Sequence, residues 1–410
     1  MRYFLSALIL FVAYSSAFAA ANSAVPEPFQ GFDDASKYTI NYDDLTNILK
    51  VAVVDVGRST REKAAPTRAA TGTRMKTNVK RSTINEGNRF YYETFAENED
   101  GRKLLLAIQK SLELVPAEAP LKYFSRDEQL AYWLNLYNVT VLNEIIKEYP
   151  QRSLKKLAVG KNSIFSEKIL NVAGVPLSLD DIEYTILKNN YNSDPLIIYG
   201  LYQGYIGGPN IRKRAYVGND VWRALKNNAN EFINSNRGTY SKDEKTFRVS
   251  SLYERNKAFF PDFEDDLTKH LLMYIQGGER SELQSASSIR ADIDDWTVTD
   301  LGGTYRDFGA AFADSNAALL DSVKSTVAAD GGGVIAASAG AGSTTLAASG
   351  KPLQRFDPEL LTQLNIINEK RESTNILNAN VTMEELGEAK DQPAPATDKQ
   401  NGDDKDNDNP

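Results

Sequence analysis

An α+β fold, a single mixed domain of helices and short strands, is what the sequence predicts. Three observations carry this. Helical periodicity and strand-like runs alternate without the βαβ rhythm of a parallel sheet. Apolar residues make up 41% of the 410 residues and charged residues 25%, the balance of a packed globular chain. Aromatics and amphipathic stretches concentrate between positions 29 and 278, with a more polar extension behind them.

The elements follow in order. Ser125-Arg126-Asp127-Glu128 has the form of a capping box, Ser at the N-cap and Glu three residues on. The helix it opens carries Leu130, Trp133, Leu134, Tyr137, Val141, Leu142 and Ile145 at helical spacing, and Pro150 closes it. Ile164 to Val172 and Leu196 to Leu201 read as strands. Between them Ser178-Leu179-Asp180-Asp181 opens a helix with Ile182, Ile186 and Leu187 inward. Trp222 to Ile233 and Asp262 to Ile275 read as further helices. His270, the single histidine, is expected at the surface or boundary of the last one.

The ends have a different character. Arg2, the apolar run from Tyr3 to Tyr14 and the small-x-small site Ala17-Phe18-Ala19 predict a signal peptide over 1–19. The mature chain is then expected to be periplasmic or secreted, with no transmembrane segment. A C-terminal extension is expected over 281–372. It includes a helix over 305–327, a low-complexity linker over 331–350 and a helix over 356–371. The acidic tail, 373–410, reads as disordered, and it lacks the glycine and terminal glutamate of a calcium loop.

Composition removes many chemistries. No cysteine means no disulfide, thiolate metal site or thiol nucleophile, and one histidine leaves no histidine-rich zinc site. No metal and no cofactor is expected. A net charge of −8 offers no field for nucleic acid. The most unusual local sequence is Gly204-Tyr205-Ile206-Gly207-Gly208-Pro209-Asn210, whose glycines permit tight turns or close backbone approach. It reads either as a plain connecting turn or as a ligand groove involving Gln203, Tyr205, Gly207, Gly208 and Asn210. Asn135 and Asn138 read as bridges to a neighbouring segment, or, for Asn135, as part of the groove lining. Asp180, Asp181 and Glu183 suit a helix first turn; a carboxylate-dependent hydrolase would need two of them facing across a cleft. Glu86 and Arg89 are expected to pair on a helix face or to support the groove from behind.

Four strings together resemble one family, the domain of unknown function 547. They are Glu86 to Arg89, Leu130 to Asn138, Leu177 to Glu183, and Gly207-Gly208-Pro209 running to Tyr216. The likeness is expected over 32–275. The resemblance implies a cysteine-peptidase-like arrangement, with two cysteines before the proline and a histidine after Ile-Glu. Here those cysteine positions fall on Gln203 and Gly208, and the histidine positions on Tyr184 and Ile198. A glutamine cannot act as the nucleophile at neutral pH. The implied function is therefore an exported, non-catalytic envelope protein that binds or scaffolds a peptide or glycan. Its groove would include Tyr184 and Glu183, and no catalytic residue is assigned. The alternative is the carboxylate hydrolase, acting on an envelope peptide or glycan through Asp181 or Glu183.

Overall fold

The computed structural model describes residues 24–61, 83, 86–160, 162–241 and 245–301, together with a short strand, Val381–Met383. The expected signal peptide, linker and C-terminal helices, and the rest of the tail, lie outside the described residues. The architecture is α+β, as the sequence predicts.

Strand β1 (Tyr38–Ile40) leads into helix α1 (Asp43–Ala52), and β2 (Val53–Val54) pairs antiparallel with β3 (Arg89–Phe90). Helices α2 (Tyr92–Glu97) and α3 (Glu99–Glu118) follow; the Asn98 side chain caps α3 by accepting from the Gly101 amide. Helix α4 (Arg126–Lys147) is central, packed against α2 and α3 and buried on nearly every side. Its Tyr132, Trp133 and Tyr137 are fully buried. Ser125 caps α4 as expected, accepting from the Glu128 amide at 3.2 Å. Glu128 does not reach back. Its two carboxyl oxygens accept from the amides of Ile40 and Gly218, so it joins α4 to distant backbone.

After a short helix α5 (Lys155–Ala158), only Leu170–Val172 of the expected strand forms β4, in a hairpin with β5 (Val175–Leu177). Ser163 ends the extended reading, because its hydroxyl accepts from the Phe165 amide and its carbonyl from Ser166 and Glu167, a local turn. The helix at Ser178 does form, but as a π-helix over Asp181–Leu187 followed by α6 (Lys188–Asn190). Leu196 to Leu201 is not a strand. Pro195–Gly200 is a 3₁₀ helix, with the Asp194 side chain accepting from the Leu196 amide and proline at the first helical position. Its residues from Leu196 to Gly200 are all buried, so the run carries no periodicity to separate the two states.

Helix α7 (Val221–Ile233) packs on that turn and on α4. A three-stranded sheet then forms from β6 (Thr239–Ser241), β7 (Thr246–Ser250) and β8 (Ser288–Ile293), in that order. Strand β6 runs antiparallel and β8 parallel to β7. Between β7 and β8 lie α8 (Ser251–Arg255), α9 (Phe263–Tyr274) and α10 (Gly278–Ser285). The packed body thus continues past the expected boundary at 278, with Leu283, Val298 and Leu301 all buried. Strand β9 (Val381–Met383), inside the segment expected to be disordered, pairs antiparallel with β1. His270 is a second correction: it is 4% exposed, because it lies on the inner face of α9 with Leu267 and Leu271. Among the described residues, no helix is long and apolar enough to cross a membrane.

Candidate functional site

The residues from 204 to 208 do not form a free loop. The amide of Ile206 donates to the Thr297 carbonyl, that of Gly207 to the Asp295 carbonyl, and that of Thr299 to the Gly204 carbonyl. The 294–301 segment also meets Arg152, Leu154 and Phe90, the Leu154 amide donating to the Trp296 carbonyl and the Phe90 amide to that of Thr299. A side chain at Gly207 would place its Cβ 2.9 Å from the Asp295 backbone, which is why glycine stands there. The loop is thus hydrogen-bonded along its length to the 295–299 segment.

Gln203, 6% exposed, lies at the start of this loop. Its amide oxygen accepts from the Tyr205 hydroxyl and, at 3.4 Å, from Arg255 Nη2. Arg255, at the end of α8, is the hub. It donates to the Tyr205 hydroxyl at 2.5 Å and to Ser251 Oγ at 2.7 Å. Its guanidinium also lies 4.9 Å from the centre of the Trp296 ring, itself 4.6 Å from that of Tyr205. The Tyr184 hydroxyl donates to the Arg255 carbonyl at 3.3 Å. The two positions that the resemblance pairs, Gln203 and Tyr184, are therefore both fastened to Arg255.

Glu183 borders the same group from the π-helix. Burial, and then the neighbouring Asp180 carboxyl, push it up to about 8, against the opposing pull of Arg255. One of its carboxyl oxygens and the Tyr137 hydroxyl are buried with no hydrogen-bond partner among the described residues. Burial raises the phenols of Tyr184 and Tyr205 as well, so both stay protonated. Asp181 is spent on structure: its carboxylate accepts from the Ser178 amide at 2.6 Å and hydroxyl at 2.7 Å, and pairs with Lys168. It is half of a helix cap and does not face Glu183 across a cleft.

The other predicted residues sit apart from this cluster or are already occupied. Asn135 bridges both ways to the Tyr216 backbone at 2.8 Å, so it is a buried strut and no lining residue. Asn138 does the same for Gly200 and Tyr202. The Asn210 side chain accepts from the Asn88 amide at 2.8 Å. The Gly208 carbonyl accepts from Arg237 Nη1 at 2.5 Å; Arg237 is 1% exposed, ion-paired with Glu231, and its backbone amide donates to Glu86. Glu86 and Arg89 do not share a helix. They lie around Gly87, whose φ is +80°, and Glu86 supports the loop from behind through Arg237. Among the described residues, no cluster of three or more histidine, aspartate or glutamate side chains could hold a metal.

Arg255 and Trp296 were not legible beforehand. Arg255 stands in an ordinary helical stretch, Leu252-Tyr253-Glu254-Arg255, with no motif. Trp296 carried a signal, a lone tryptophan in a polar run assigned to the extension.

No curated protein and no solved structure matches the chain. A family model does match, over residues 121–233, a shorter span than the resemblance suggested. That span runs from the turn before α4 to the end of α7, and takes in Glu183, Tyr184, Gln203 and the glycine loop but neither Arg255 nor Trp296. Residues 121–233 thus match the model of the family described as Protein of unknown function, DUF547.

Proposed function

We propose that this chain is an exported, non-catalytic binding or scaffold protein of the bacterial envelope, built on a family domain that has lost its thiol chemistry. The observation that carries the reading is Gln203. Where the resemblance places a nucleophilic thiol stands a buried amide whose oxygen already accepts from Tyr205 and Arg255. The ligand class is an envelope peptide or glycan. Its test is a thermal-shift screen of the protein lacking 1–19 against peptides, thiols and glycans. A ligand at a hundredfold excess over its Kd stabilises by about 2.7 kcal/mol. Absence of any shift across the three classes defeats the binding reading.

The loss of chemistry has its own test. Gln203→Cys with Tyr184→His places a thiol and an imidazole around Arg255. The double variant should react with iodoacetamide near neutral pH faster than Gln203→Cys alone, because the imidazole lowers the thiol below its free value of about 8.5. Equal rates would show that the two positions do not form a site.

One observation favours the hydrolase alternative, the neutral Glu183 carboxyl beside Arg255. A proton held near neutral pH is what a general acid needs. Against it stands the burial of Glu183, 3% exposed, and the engagement of Asp181 in its cap. Any hydrolysis of an envelope peptide or glycan that survives Glu183→Gln removes this alternative.

A further inference from the structure

A cavity of about 400 Å³ lies beside α9, and His270 is among the residues lining it. Three more aromatic rings border it: Phe259, Phe260 and Tyr274. The Phe260 ring lies 5.7 Å from that of His270, edge to face, and Tyr274 lies 5.3 Å away on the other contact. Two carboxylates, Asp194 and Asp266, also line the cavity. Each accepts one backbone amide at 2.9 Å, from Leu196 and Asp262 respectively, and neither is ion-paired among the described residues. Lys269 also borders the cavity, but its ammonium is paired with Asp265. The imidazole adds no positive charge. Its Nε2 is hydrogen-bonded to the Tyr199 hydroxyl at 2.9 Å, and burial lowers its pKa to about 4.

Aromatic side chains around an opening with two carboxylates that form no ion pair among the described residues match one chemistry. Ring quadrupoles attract a cation, and so do the carboxylates, while the walls suit its methyl or methylene carbons. A neutral apolar ligand would gain nothing from Asp194 and Asp266. An anion would be repelled by them. We propose that this cavity binds an alkylammonium group, free in solution or at the end of a lysine-like side chain. This does not rest on the Gln203 site, and stands or falls separately from it.

The single histidine supplies the probe. In the untagged protein the His270 imidazole gives the chain's one histidine ring signal in proton NMR. Tetramethylammonium and Nα-acetyl-lysine amide represent the two sources, and the one that binds more tightly identifies which is preferred. At least one should move the His270 signal saturably. Tert-butanol, a neutral mimic of tetramethylammonium, should bind at least about tenfold more weakly, the equivalent of about 1.4 kcal/mol. Asp194→Asn with Asp266→Asn should weaken the cation by a similar factor. The proposal is overturned if neither cation gives a saturable shift, if tert-butanol binds as well as tetramethylammonium, or if a folded double variant keeps wild-type affinity. The tert-butanol comparison uses the unaltered protein, so it decides even if the double variant fails to fold.

Discussion

Glu183 shows how a single residue changes meaning between sequence and structure. In the sequence it is the third acidic residue of a helix start, stabilised by the helix dipole. In the structure the π-helix turns it inward, and burial makes its neutral form the favoured one. The sign of the pH dependence follows. An unfolded glutamate releases its proton near its ordinary value of 4.5, whereas the folded chain holds it to about 8. Folding therefore takes up a proton between those limits, and Glu183 contributes stability that falls as pH rises through that window, by at most about 1.4 kcal/mol per pH unit. The groups facing it are Asp180, Arg255, Tyr137, Tyr184 and Tyr205. Glu183→Gln should flatten the decline: urea unfolding at pH 5.5 and 8.5 should show a smaller difference in the variant than in the wild type. An unchanged difference would place the proton elsewhere.

At the scale of elements, periodicity disclosed what packs and missed what bends. Helix α4 was legible because its capping serine and apolar spacing agree, and α7 and α9 were legible for the same reason of spacing. The 3₁₀ turn at Pro195–Gly200 was not, since an apolar run buried on all sides has no period to read. The role of Asn135 was half-legible. A buried amide on a helix had to bond something, but only the fold says that the partner is the Tyr216 backbone. Asn135→Ala would leave an N–H and a C=O of Tyr216 buried without partners. The expected loss is about 2–4 kcal/mol in chemical denaturation, with the slope against denaturant unchanged. A loss below about 1 kcal/mol would mean that the loop relaxes to meet water.

Across the whole molecule, the main surprise lies at the far end of the domain. Composition placed the boundary near 278 because the following residues are polar. Polarity is a poor guide there: β8 is bonded along one edge to β7, the 294–301 segment is bonded to the 204–207 loop and to Phe90, Arg152 and Leu154, and together they insert only a few apolar side chains, among them Val298 and Leu301. Arg255 was illegible for a related reason, since its partners Gln203, Tyr205 and Trp296 are brought to it from 41 to 52 residues away by the fold. A chain ended at 278 should lack near-UV circular dichroism and a cooperative melt. A chain ended at 329 should keep both and melt within a few degrees of the full protein. Equal behaviour of the two would make the segment dispensable.

The same segment sets an order of events. Its bonds reach back to Phe90, Arg152 and Gly204, and the Thr83 hydroxyl meets Asp295 across 212 residues of chain. Contacts of such sequence separation close slowly, because the loop entropy must be met before they form. A growing polypeptide therefore cannot seal the edge of its Gly204 loop until residue 299 has emerged.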